Sequence, residues 1–533
     1  MDSVNFSRKV NFIESSSELE VPMGVPSDEE RLAQLGVKQE LQRTYSLPAL
    51  AALCVCLMAT WEALSSVIAA ALVSGGPPCL FYNYVASFLC TICIAASLAE
   101  IASMYPTAGG QYHWVAALCP SRTKLAASFA TGWISIGGQI VFTASAAFAA
   151  GLQAQALITL NVESYEPVRW QGVLFYWGIL LYAGALNVGG MRLMPHINLI
   201  SGIIHIVAFV AICIVLGVMA QKNTAEFVFT DFVNSSGWNS DVISWLVGLL
   251  STVYPFLGYD AATHLAEELP NASRNVPLAM LGSVMVNGLM GFIYTILLLF
   301  SAGSLDSLVN TPTGFPYMQI FLDATKSKAA VTILSLNLVL VATAATIAGV
   351  TSTSRTLWAF ARDKATPCHE YLSAVNPSVQ LPVRAVLVVL VFQFLLGLIY
   401  IGNATAFNAI LSMAIIGLYL SYTLPIYYMF FYGRRKLSKA DYGPFSLKPW
   451  VGAIFNVVAM IWMIIAMIFS TFPTTFPVTA ENMNYCVVVL AGWGSFGLFY
   501  YLWAAKKKFQ LPITDVSVIS ADVPSSATIT EKN

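Results

Sequence analysis

A handful of ionisable side chains sit inside long apolar runs of this sequence. Glu62 stands near the middle of CLMATWEALSSVIAAAL, beside Thr60 and Trp61, and Asp260 stands in YPFLGYDAATHLAEELP, beside Phe256 and Tyr259. Glu100, His205, His264, Glu267 and Glu268 complete the set. A carboxylate at the centre of a hydrocarbon layer costs at least about 2.5 kcal/mol, so it is kept there for a partner or a task. Two tasks suit it: pairing with the ammonium group of a solute, or carrying a proton. The aromatic neighbours suit an amine as well, because a ring face attracts a cation. The plainer alternative is that both acids only satisfy backbone groups freed by breaks in their helices.

Asp260 does stand beside such a break. Pro255 removes a hydrogen-bond donor and Gly258 loosens the backbone. An unwound segment exposes N–H groups that bind carboxylates and carbonyls that bind cations. The run around Glu62 has no internal Gly or Pro, so the polar trio Thr60-Trp61-Glu62 alone marks a break there. Matched interruptions in two spans are the best pointer to a transporter site. His264 with Glu267 and Glu268 resembles half of a metal-binding helix, but the segment lacks a second His and runs into Pro270. A local pair of His264 with one of these acids, or a contact of the acids with Arg355 or Arg362, is expected instead, and the cluster is read as a latch on an inner gate. No nucleophile–His arrangement or paired catalytic acids appear, so neither an enzyme nor a cofactor or metal is expected.

The elements that must position these residues are membrane helices. Of 533 residues, 57% are hydrophobic and 10% charged, well short of the roughly 25% charged residues that cover a soluble domain. Net charge is −1, which gives no field to recruit nucleic acid. The nine cysteines fall mostly inside apolar runs and suit packing rather than disulfides. Twelve spans are read at 48–74, 80–104, 125–160, 172–189, 196–219, 243–268, 276–303, 331–357, 385–401, 406–428, 451–472 and 486–503. The third is too long for one upright crossing and is expected to tilt or protrude. Polar tails flank them at 1–45 and 505–533, leaving a 46–504 transport domain with no cleavable signal peptide ahead of it.

Lys and Arg cluster on one side of these spans: Arg122, Lys124, Arg274, Arg355, Arg362, Arg434 and Arg435 among others, against Arg169, Lys222, Lys326 and Lys328 opposite. The basic side is cytoplasmic, which puts both termini inside. Asn234-Ser-Ser236 is then an outward-facing glycosylation sequon.

Three ordered motifs carry a family resemblance. LAEIASMYPTAGGQYHW (98–114), GYDAATHLAEELPNASRNVP (258–277) and SRTLWAFARDKATP (354–367) resemble the second-, sixth- and eighth-helix signatures of the amino acid–polyamine–organocation (APC) transporters. DEERLAQLGVKQELQRTYSLPAL, with TWEALSSVIAAAL and GGPP after it, is similar to the fungal amino acid/choline/GABA permease branch. The resemblance implies an all-α integral membrane protein of twelve transmembrane helices, with a LeuT-type 5+5 inverted repeat plus two helices. It implies solute held among helices one, three, six, eight and ten. Thr60, Trp61 and Glu62 would occupy the helix-one break; Phe256, Gly258, Tyr259 and Asp260 the helix-six break. Pro106, Gly109, Gly110 and Tyr112 would form an inner loop that moves in gating. Many relatives have a Gly-rich helix-one break that cradles an α-carboxylate. Glu62 in that neighbourhood favours a cationic amine such as choline, or a GABA-like solute.

The resulting expectation is a secondary active permease of the plasma membrane. It would move a small amine or amino acid by alternating access, with a proton in symport. Glu62 or Asp260 would serve as the coupling or ammonium-binding carboxylate, and Glu268 and Arg355 as gating residues. A nutrient receptor signalling through its tails is the alternative, with Thr44, Ser525 and Ser526 open to phosphorylation and Lys9 or Lys38 to ubiquitin. The oligomeric state is not legible.

Overall fold

The computed structural model describes residues 32, 39–41, 43, 45–190, 193–376, 381–402 and 405–511. The tail sites Lys9, Lys38, Thr44, Ser525 and Ser526 lie outside the described residues. Within them the regular elements are helical, and eleven helical stretches are long and apolar enough to cross a membrane. The first, Leu47–Met104, has 58 residues. As one rod it would be about 87 Å long, against a hydrocarbon core of about 30 Å.

It is two spans. The chain turns at Gly76 (φ 69°), just before Pro77 and Pro78. Neighbouring residues of span six hold the two arms side by side. The Ser251 hydroxyl donates to Val67 O, and the Ser87 hydroxyl donates to Thr252 Oγ1 at 3.0 Å. The described residues therefore supply twelve crossings, as the sequence suggests.

Span three, Lys124–Asn161, is one helix of 38 residues. That is about 57 Å, so it projects beyond the bilayer. It lies centrally, against span eight (Lys328–Arg362) and span ten (Ala406–Tyr428). Helices approach most closely where both lack side chains, and here a Cβ on Gly417 would stand 2.6 Å from Gly138 Cα. Span five, Met194–Met219, turns Ile203, Val207, Val210 and Ile214 outward as exposed residues, a stripe for lipid. The chain is an integral, multi-span membrane protein.

Spans one and six are both interrupted. Span one breaks at Ala59, whose backbone is left-handed (φ 41°), between Leu47–Met58 and the helix resuming at Thr60. Span six comprises Asp241–Val247, Leu250–Val253 and a tight turn Tyr254–Phe256, then extended Leu257 and Gly258 (φ 99°), resuming at Ala261–His264. Positive φ is strained for any residue with a Cβ. At Gly258 an added Cβ would also lie 2.8 Å from the Phe142 ring. Gly258→Ala is accordingly expected to destabilise the protein by about 1–3 kcal/mol. A thermal shift of purified protein checks this; an unchanged midpoint would contradict the geometry.

Candidate functional site

Between the two breaks lies a small cavity of about 20 Å³, lined by Met58, Ala59, Glu62, Phe142, Gln153 and Tyr254 among others. That is room for about one water. Beyond it opens a vestibule of about 450 Å³, whose walls include Gln155, Arg169, Phe315, Tyr400 and Thr475. Ser66 lines both spaces, so the two adjoin.

Glu62 is the charged group on the cavity wall. Its Oε1 lies 2.7 Å from His205 Nδ1 on span five, and its Oε2 is buried with no partner among the described residues. Trp61 turns the other way, packing against His205, Phe209 and Tyr294.

The other residues expected to touch solute are not on that wall. Thr60 closes the break itself. Its N–H donates to Asn287 Oδ1 at 3.0 Å and its hydroxyl to Pro255 O at 2.8 Å, tying span one to span six. Phe256 stacks on Phe88 and tilts against Tyr84, facing span two. Tyr259 packs on Tyr422.

Asp260 is buried on the inner side of the break and fully engaged. Tyr422 OH donates to its Oδ1 at 2.6 Å, Gln111 Nε2 to its Oδ2 at 2.8 Å, and His264 Nε2 is 3.4 Å away. The structure therefore separates the two acids: Glu62 keeps a free oxygen at the cavity, and Asp260 joins span six to span ten and the inner loop. Asp260→Asn would set an NH₂ against one of two donors. It is expected to lower maximal flux at least tenfold with little change in solute affinity. Flux and equilibrium binding measured on the same preparation check this; a raised Kd with normal flux would return Asp260 to the binding site.

The residues expected to latch an inner gate are ion-paired. Glu268 Oε1 accepts from Arg355 Nε at 2.8 Å, and Glu267 accepts a two-pronged bond from Arg362 at 2.9 and 3.0 Å. Glu267 also accepts the Ala108 N–H at 3.1 Å, and His264 Nδ1 lies 3.1 Å from Ala108 O. The inner loop is thus gripped through both backbone groups of one residue, Ala108. Pro106 and Gly109 are buried within it. A Cβ on Gly110 (φ 57°) would meet the His264 ring at 2.9 Å. Tyr112 OH donates to Asp363 at 2.8 Å. The chain ahead of span one covers the latch: Gln39 Nε2 donates to Glu267 O at 2.7 Å and Tyr45 N–H to Glu268 O at 3.3 Å. Burial, with the Glu268 carboxylate beside it, raises the Tyr45 phenol above its ordinary range and keeps it neutral.

A sequence profile of the amino acid permease family matches residues 45–493. The chain belongs to the amino acid permease family. Among this permease's relatives is the choline transporter of Saccharomyces cerevisiae, 31% identical over 472 residues, 88% of this chain and 83% of that one. A putative amino acid/polyamine transporter of Macrophomina phaseolina is 34% identical over 436 residues, 80% of this chain and 95% of the other. An amino-acid permease of Arabidopsis thaliana is 31% identical over 505 residues, 92% and 97% of the two chains. The permease is a transporter of the APC superfamily, and its named relatives are transporters rather than enzymes.

Several working residues of the permease were not singled out by sequence reasoning. Asn287 of span seven bonds both lips of the span-one break, accepting from Thr60 N–H and donating to Val55 O at 3.2 Å. An Asn inside an apolar run was the available signal. Gln111 and Tyr422 carried none, because their partner is remote in sequence. Gln139, a polar residue in the apolar run of span three that could have lined the cavity, has its Nε2 2.7 Å from His264 Nε2 and accepts from Thr356. The sequon residue Asn234 is half-buried. Its Nδ2 donates to Trp238 O and Asp241 Oδ1, both at 3.0 Å, so a glycan on that nitrogen would displace a fold contact.

Proposed function

We propose that the permease moves a small nitrogenous solute, an amine such as choline or an amino acid such as GABA, by proton-coupled alternating access. Its seat would be the plasma membrane, with both termini in the cytoplasm. The observation that carries this reading is the free, buried Glu62 Oε2 at the cavity between the two breaks. A lone carboxylate oxygen in a dry site favours a cationic head, and the Phe142 and Tyr254 rings on the same wall add cation–π attraction. The N–H of Thr60, which could have met a solute carboxylate, is taken by Asn287. The Saccharomyces relative named a choline transporter supports an organic cation.

The latched inner side and open vestibule fit a state that accepts solute from outside. A cavity of about 20 Å³ must widen to hold one. The small side chains Ala146, Ala149, Ala342 and Ala345 on spans three and eight leave the wall room to do so. Vesicles containing the purified permease, preloaded with unlabelled solute, should exchange labelled choline, GABA or a member of an amino acid panel. Exchange of none of them would refute the reading.

A further inference from the structure

Span five supplies a second ionisable group at the cavity acid. His205 and Glu62 are 0% and 2% exposed and share one hydrogen bond, Nδ1 to Oε1, of 2.7 Å. A proton gained by either buried group changes the charge that the other faces. With one shared proton the pair is net neutral, as imidazolium–carboxylate or as imidazole–carboxylic acid. Without it the pair carries a single negative charge, which a low-dielectric site disfavours unless a cation joins it.

No other charge sits there to compensate. Among the described residues, the other titratable groups near the pair are Cys56 on span one, Tyr294 on span seven and, on the same cavity wall, Tyr254 of span six; Cys213 on span five neighbours Tyr294. Among the described residues, neither Glu62 nor His205 has an ion-pair partner except the other. Three polar atoms around the pair, Glu62 Oε2, His205 Nε2 and Trp61 Nε1, are buried without a partner. The site is built to receive something further.

We propose that Glu62 and His205 form one proton-binding unit, and that a proton on this unit and a cationic solute at Glu62 Oε2 exclude each other. This rests on the reading of Glu62 as the solute's countercharge. His205 is then a positioning residue that acts through Glu62: it sets the pH at which the carboxylate becomes available. Each crossing carries the site at net zero charge, loaded with a proton in one direction and with the cation in the other. For a cationic solute the coupling is therefore exchange rather than symport.

The test uses the full chain in lipid nanodiscs, with labelled choline as probe, between pH 5 and 8. In the wild type, choline affinity should rise with pH, approaching tenfold per unit below the unit's midpoint and levelling above it. His205→Gln keeps an amide donor for Glu62 but removes the second base, so it should move that midpoint. Flat wild-type binding, or an unmoved midpoint in the variant, would overturn the proposal.

A solute-free readout runs beside it. The Trp61 and His205 rings are 5.9 Å apart, and a protonated imidazole quenches a neighbouring indole. The difference in fluorescence between wild type and Trp61→Phe should show a one-proton step. Its absence would overturn the unit whatever binds. If the step is present but no choline binds at any pH, the proton unit stands, while the choline reading of the cavity, and with it the exclusion, falls.

Discussion

Glu62→Gln is expected to reduce solute exchange on the order of 100-fold or more while the protein stays folded. Gln has the same shape and can still meet His205, so packing survives. What is lost is the negative charge facing the cavity. Leaving one partner of a desolvated charge pair unmatched costs about 2–5 kcal/mol, and each 1.4 kcal/mol is about tenfold. Exchange into preloaded vesicles, measured below saturation with a melting curve alongside, reads both quantities. Activity within twofold of wild type would mean that Glu62 only satisfies His205, and the functional reading would lose its main support.

The second large effect is expected at the inner latch. Arg355 and Glu268 are 4% and 2% exposed and bonded at 2.8 Å. Breaking such a pair from one side costs about 3–5 kcal/mol. That cost falls on the latched state, where Glu268 would be stranded away from water. It is far smaller in a state whose inner side is hydrated. Arg355→Ala should therefore shift the population toward inward opening by about 100-fold, within the limit set by differential stability. A cysteine placed at Ser354, buried beside the latch, reports it through its labelling rate with an impermeant maleimide from the cytoplasmic face. The charge-swapped pair Glu268→Arg with Arg355→Glu should slow labelling again. Equal rates in wild type and Arg355→Ala would show that the ion pair does not hold the gate.

The span pattern was legible because hydrocarbon thickness dictates it. The break in span six was legible because Pro255 and Gly258 advertise it. The contact of Glu267 and Glu268 with Arg355 and Arg362 was legible because basic residues near acids at span ends have few other partners. The break in span one sits at Ala59, a residue whose type gives no hint of it. Ala59 adopts positive φ at some cost, and Asn287, 227 residues from Thr60, offsets it. A compensation made by tertiary contact leaves no local mark. Asp260 was rightly singled out as a buried acid, yet its surroundings could not be foreseen. Its donors Gln111 and Tyr422 lie 149 and 162 positions away. Glu62 kept a free oxygen for the same kind of reason: its partner on span five supplies one bond only.

The amide of Asn287 also decides what moves against what. It is anchored on span seven by a bond from its Nδ2 to Ser283 O, and it reaches both lips of the break. Beyond the break, Thr60–Pro255, Ser65–Tyr294 and Tyr84–Gly288 bonds join spans one, two, six and seven into one body. If the half of span one nearest the latch swings out, the bond to Val55 must part while the bond to Thr60 can persist. Span seven is then a fulcrum, the segment Leu47–Met58 a lever, and the latch at Glu268 the catch at the lever's free end.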